Sequence, residues 1–195
     1  MIKDSVDVKT EAYERLFLPY GVETARRVRQ HHEASSGVSR FEKIPLYLEW
    51  AGQSASPEKI EEWCQQFSQA VVQAVIDSPW VPGVREHLLK HYLDQYFVLV
   101  TATPQAEIEE ILGSLQLLHC FREVFGAPTK KDRAIQVVLE RLKCSPDEAV
   151  MIGDSESDLL AAQANSVPFL LRRTPLNERL RTSYRGPMFD DLNDE

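Results

Sequence analysis

The sequence predicts an α/β fold, a parallel sheet with helices on both faces, into which an all-helical block is inserted. Three observations predict it. Residues 7–79 carry apolar side chains at helical spacing with no strand signal between them. From residue 81 onward, helical patterns alternate with short apolar runs, the order expected of a parallel sheet. Two of those runs, Phe97-Val98-Leu99-Val100-Thr101 and Ala149-Val150-Met151-Ile152, are continuously apolar like buried strands, and each ends in polar residues at a turn into a helix.

The elements follow in chain order. Tyr13, Leu16, Phe17 and Tyr20 recur at helical spacing. So do Ile60, Trp63, Cys64, Phe67, Val71 and Val72, after the start signal Ser56-Pro57. Gly83-Val84-Arg85-Glu86-His87-Leu88-Leu89 opens a helix that precedes the strand to Thr101. Thr103 as N-cap and Pro104 at the first helical position then predict a helix over roughly 104–115. Gly126-Ala127-Pro128-Thr129-Lys130-Lys131-Asp132 is a loop entering another helix, with Thr129 as N-cap and Ile135, Val138, Leu139 and Leu142 along it. Ser145-Pro146-Asp147-Glu148 is a tight turn with capping-box residues before the strand to Ile152. Val167-Pro168-Phe169-Leu170-Leu171 is the last strand. The domain reading is therefore 1–6 as a lead-in, 7–79 as a helical domain and 80–195 as the α/β core.

Chemistry concentrates where strands end. Gly153-Asp154-Ser155-Glu156-Ser157-Asp158 places two carboxylates four residues apart at a strand tip that opens a helix. Ligands of open parallel sheets bind at such tips. Oxygen donors of this kind suit a hard cation such as Mg²⁺, although solvated acids capping a helix share the same spacing. Thr101 ends its strand at a turn whose backbone N–H groups form a phosphate cradle; a threonine satisfied by its own backbone is the other reading. Lys131, or Lys130 if the register slips by one, offers a cation to an anion, or simply a solvated helix start.

In order, strand–Thr, Gly-x-Pro-x-x-Lys and strand–Gly-Asp-x-x-x-Asp resemble the haloacid dehalogenase-like hydrolase superfamily, in particular its phosphoglycolate phosphatase and β-phosphoglucomutase branch. The resemblance runs from about residue 4 to about residue 171. It implies a Rossmann-like core with an inserted helical cap. It implies that Thr101, with backbone N–H groups such as that of Ala102, binds the transferring phosphoryl group, that Lys131 holds nucleophile and phosphate together, and that Asp154 and Asp158 bind Mg²⁺. The family opens with a strand ending in Asp-x-Asp-Gly, whose first Asp is the nucleophile, followed by Asp-Ser. Here Asp4-Ser5 matches only that later pair, and Asp4 and Asp7 lie three apart with no apolar strand before them. The expectation is that the nucleophile strand lies upstream of residue 1, and that its place in the sheet, between the strands of Thr101 and Asp154, is vacant in this chain. A non-catalytic relative that binds phosphate or Mg²⁺ is the alternative.

The resembling caps choose the substrate. Ser36-Gly37-Val38-Ser39-Arg40-Phe41-Glu42-Lys43 is the expected contact loop, with Arg40 and Lys43 one helical turn apart on one face, or else an ordinary charged face. His31 and His32 are adjacent and read as surface histidines, and His87 and His91, four apart, as structural. A net charge of -8 argues against nucleic acid as the main partner but leaves small phosphorylated substrates open. No apolar stretch nears the ~18 residues of a membrane span, so no membrane partner is expected. Cys64, Cys120 and Cys144 are odd in number and far apart, which predicts inert thiols in a reducing cytoplasm. The acidic tail from Asp190 to Glu195 is expected to fray.

Overall fold

A computed structural model describes residues 2–193; Asp194 and Glu195 of the acidic tail, like Met1, lie outside the described residues. The chain forms two compact units, one of Lys3–Pro79 and one from Trp80 onward that also takes in Ile2.

The first unit is helical. It holds α1 (Val6–Phe17), α2 (Val22–Ala34), α3 (Arg40–Trp50) and α4 (Pro57–Asp77). α1 packs on α2 and α4, and α3 on α4. Aromatic rings fill the centre. Tyr13 stacks on Phe67 at 3.9 Å between centroids, Phe17 tilts against Trp63 at 4.6 Å, and Tyr47 meets Tyr13 and Phe17 edge-on. Of these, Tyr13, Phe17, Trp63 and Phe67 are residues whose helical spacing marks the face, and Phe17, Tyr47 and Phe67 are buried. The Ser56-Pro57 signal starts α4 as expected, with Ser56 Oγ accepting from the Lys59 N–H at 3.4 Å. Ser56→Ala is expected to cost about 1 kcal/mol, the usual worth of an N-cap, read as a lower urea midpoint of this unit.

The second unit is α/β. In order it contains α5 (Val84–His91), β1 (Val98–Pro104), α6 (Gln105–Ser114), β2 (Glu123–Ala127), α7 (Lys131–Leu142), β3 (Met151–Gly153), α8 (Glu156–Ala164), β4 (Phe169–Arg172), α9 (Glu178–Ser183) and β5 (Met188–Phe189). All strand pairs are parallel: β1 with β2, β3 with β4, and β4 with β5. The ladder is divided between β1 and β3. Among the described residues each of them pairs with a strand on one side only. Consistent with an open edge, Val98, Leu99, Val100, Met151 and Ile152 are half-buried despite their apolar character. α7 spans the division, packing against β1 and α8. Val84 and Leu88 of α5, Ile108 and Leu112 of α6, with Leu117 and Cys120, form one core cluster, and Ile135, Ala161 and Val167 with Met151 form another.

Several boundaries differ from expectation. β1 continues to Pro104, which becomes the N-cap of α6, so Thr103 is a buried strand residue rather than the cap. Lys130, not Thr129, is the N-cap of α7, because the Thr129 N–H turns back to the Gly126 carbonyl. β2 carries only Val124 and Phe125 before Gly126, too short an apolar run to stand out, and β5 is shorter still; neither is anticipated, nor is α9. The last expected strand begins two residues later, at Phe169. His32 is buried rather than superficial, continuing the inner stripe of Ala25 and Val28 on α2.

Candidate functional site

The expected site residues lie on three segments of the α/β unit: the end of β1, the start of α7 and the turn from β3 into α8. At β1 the ladder is in register through Val100 and Phe125 and resumes at Pro104 and Ala127, so Thr101, Ala102 and Thr103 oppose the single residue Gly126. Such a bulge re-aims side chains and frees backbone groups from the ladder. Gly126 is required here, since a Cβ would sit 2.6 Å from the Gln105 backbone. Thr101 Oγ1 accepts the Thr103 N–H at 3.2 Å. A threonine hydroxyl that accepts one bond can also donate one.

The β3–α8 turn is organised by Asp158. Ser155 caps α8 in a capping box with Asp158 at the third helical position. Asp158 Oδ2 accepts from Ser155 Oγ at 2.6 Å and from the Ser155 and Asp154 N–H groups at 3.2 and 3.3 Å. Its other oxygen, Oδ1, meets Lys131 Nζ at 2.7 Å, and the same ammonium donates to Ser157 Oγ at 2.9 Å. Asp158 is buried and Lys131 half-buried, with side chains 9% and 13% exposed. Burial alone would push the Asp158 carboxyl up, but the Lys131 ammonium, then hydrogen bonds from Lys131 and Ser155, hold it below its ordinary value. Gly153 permits this closeness, for a Cβ there would lie 2.4 Å from Asp158 Cβ.

The expected residues therefore divide. Lys131 and Asp158 meet directly, while Lys130 is an exposed N-cap. Asp154 lies at the tip of β3, beside that pair. Both oxygens of Asp158 are taken by protein donors, which fits a supporting role better than direct ligation. Asp154 is the other candidate carboxylate at this turn, and Mg²⁺ commonly takes one or two carboxylates with waters and phosphate oxygens. Among the described residues no three His, Cys, Asp or Glu side chains gather to hold a metal by themselves. The residues thus fit Mg²⁺ as part of a larger donor set.

Arg40 and Lys43 share one side of α3 as expected, but that side is the inner one. Arg40 donates to Ser68 Oγ at 2.6 Å and lies 4.5 Å over the Phe67 ring. Lys43 Nζ meets His32 Nδ1 at 2.9 Å. Burial, then the Lys43 ammonium, push the His32 imidazole down to about 2, so it is neutral and accepts from Lys43 through Nδ1. The His87 and His91 rings lie tilted against each other, 4.7 Å between centroids. Among the described residues no disulfide joins the three cysteines, of which Cys64 and Cys120 are buried and Cys144 half-buried. No described helix is long and apolar enough to cross a membrane.

Comparison with known proteins agrees with the geometry. The haloacid dehalogenase-like hydrolase family matches residues 1–171, and the chain belongs to that family. A phosphorylated carbohydrates phosphatase of Thermotoga maritima is 28% identical over 175 residues, 86% of this chain and 78% of that protein. A phosphoglycolate phosphatase of Aliivibrio fischeri is 33% identical over 89 residues, which are 43% of this chain and only 39% of the relative. In three dimensions, β-phosphoglucomutase from Clostridium difficile superposes with a TM-score of 0.74 at 17% identity, over 99% of this chain and 87% of that one. A haloacid dehalogenase-superfamily hydrolase from Geobacter sulfurreducens does so at 0.63 and 19%, over 98% and 88%. These likenesses establish the α/β fold with a Rossmann-like core.

Proposed function

We propose that this chain is the body of a Mg²⁺-dependent phosphatase that acts on a small phosphorylated metabolite through an aspartyl-phosphate. The observation that carries the reading is the ion pair of half-buried Lys131 with buried Asp158, fixed beside Asp154 at the tip of β3. In this reading Asp154 is the carboxylate that meets Mg²⁺ and Asp158 holds both the Asp154 backbone and Lys131 in place. Bound Mg²⁺ supplies charge neutralisation at the phosphoryl oxygens. Lys131 adds a fixed positive charge, and the Thr101 hydroxyl with the Ala102 N–H orients the phosphoryl group, so that the contribution of these residues is positioning and electrostatics.

The nucleophile in this reading is an Asp-x-Asp carried by a strand outside residues 1–195, lying between β1 and β3. The unpaired edges of β1 and β3 support that position. A carboxylate there divides the transfer into attack on phosphorus and hydrolysis of the acyl phosphate. Asp4 and Asp7 belong to the helical unit, which favours a second reading for residues 1–195 taken alone: a phosphate- and Mg²⁺-binding protein without turnover. We take the helical unit as the cap that selects substrate, and assign Arg40 and Lys43 to holding residues 36–43 in shape. The free thiols support a cytoplasmic location.

The test is to precede residues 1–195 with an apolar strand ending in Asp-x-Asp-Gly and to assay phosphate release from a panel of small phosphate monoesters. Mg²⁺-dependent release by the extended chain and none by residues 1–195 is the expected result. Turnover by residues 1–195 alone would overturn the nucleophile assignment. Silence from both would leave the binding reading.

A further inference from the structure

The β3–β4 ladder ends at the pair Gly153 and Leu171. The next residue on each strand is Asp154 and Arg172, and the carbonyls of both turn to one side chain, Asn177. Its Nδ2 donates to the Asp154 carbonyl at 2.9 Å and to the Arg172 carbonyl at 2.8 Å. Its Oδ1 accepts the Thr174 N–H at 2.9 Å, closing a capping box on the short turn Pro175–Asn177. Asn177 is 8% exposed. Two donors and one acceptor are used, and only this orientation of the amide satisfies all three.

The Asp154 peptide unit is thereby held from both sides: its N–H by the Asp158 carboxylate and its carbonyl by Asn177. Fastening the backbone N–H and carbonyl to buried side chains fixes the Cα–Cβ direction from which the Asp154 carboxylate reaches out. The two carbonyls differ in their distance along the chain: Arg172 is five positions from Asn177, whereas Asp154 is 23 positions away. An asparagine needed only to cap the turn would use Oδ1 and leave Nδ2 to solvent. This one spends both N–H bonds inside, across the gap between two strands where ligands of parallel sheets bind.

We propose that Asn177 is a positioning residue for the metal site, setting the direction of the Asp154 carboxylate by fixing its carbonyl. This rests on the reading of Asp154 as the Mg²⁺ carboxylate. Outer-sphere partners of this kind are worth roughly 10–100-fold in metal affinity, and because Asn177 acts on the backbone of the ligand, about 10-fold is expected.

The experiment titrates Mn²⁺, as a paramagnetic substitute for Mg²⁺, into residues 1–195 and follows broadening of the Gly153–Asp158 amide signals. Asn177→Ser keeps a short polar acceptor for the Thr174 N–H and deletes the two amide N–H donors, leaving one hydroxyl on a shorter side chain. Thr174→Ala loosens the same turn without touching the Asp154 carbonyl. Site-specific Mn²⁺ affinity about 10-fold weaker in Asn177→Ser, with Thr174→Ala like the unaltered protein, supports the proposal. Unchanged affinity in Asn177→Ser overturns it, and so does equal weakening in Thr174→Ala, which would make the effect one of the turn. If Asn177→Ser does not fold, Asn177→Gln makes the same comparison, its longer side chain keeping the amide but displacing it from the two carbonyls. No broadening in the unaltered protein, or the same broadening in Asp154→Asn, would overturn the metal reading itself and this inference with it.

Discussion

Asp158→Ala is expected to destabilise the α/β unit by about 3–5 kcal/mol, the usual cost of removing one member of a buried ion pair. Three losses combine in this one side chain. The Lys131 ammonium keeps its burial without its counter-charge, the Ser155 and Asp154 N–H groups lose their acceptor, and α8 loses its capping box. The measurement is urea unfolding followed by a probe of the α/β unit. Removing both charges in Asp158→Leu with Lys131→Met should recover much of the loss, because no unpaired charge is left buried. A change below about 1 kcal/mol for Asp158→Ala would show that water reaches the pair and screens it.

The same pair has a pH signature. The Asp158 carboxyl titrates below its ordinary value in the folded protein. Its contribution is therefore complete above the unfolded value of about 3.9 and is lost as pH falls through the lower, folded value. The unaltered protein should lose stability in that acid window, and Asp158→Asn should show a flatter acid limb with lower stability at neutral pH.

Asp154→Asn is expected to reduce Mg²⁺-dependent turnover of the strand-extended chain by about 1000-fold, or about 4 kcal/mol of transition-state stabilisation. The substitution keeps the backbone N–H and carbonyl that Asp158 and Asn177 hold, so the fold should persist and the loss should lie in the chemistry. Circular dichroism and the thermal midpoint verify the first point, and phosphate release at saturating Mg²⁺ the second. Turnover that survives would remove Asp154 from the metal site.

The parts of this fold legible in sequence were those carried by long periodic stretches or by a residue with one steric role. The inner face of α4 could be read from Trp63, Phe67 and Val71 because twenty-one residues repeat the pattern. Gly153 and the carboxylates after it could be read because a run of apolar residues ends abruptly there. β2 and β5 escaped because two apolar residues do not make a period, and their neighbours, not their composition, make them strands. The spacing of Arg40 and Lys43 correctly placed them together, but spacing does not tell which side of a helix faces inward when the side chains are cationic. The inward side is decided by Phe67, Ser68 and His32, which come from other helices. Asn177 left no trace at all. An asparagine after Thr-Pro-Leu reads as a turn residue, and its importance arises from bridging the nearby Arg172 carbonyl to that of Asp154, 23 positions away.

One carboxylate, that of Asp158, fastens the first turn of α8, the tip of β3 and the first residue of α7 together. These segments should therefore open as one cooperative unit. Amide hydrogen exchange at the start of α8 and at the start of α7 should report a common opening free energy, distinct from that of the helix ends. It follows that an anion drawing Lys131 away from Asp158 would loosen α8 from its N-terminus, while one that binds Lys131 with the pair intact would slow exchange in both helices together.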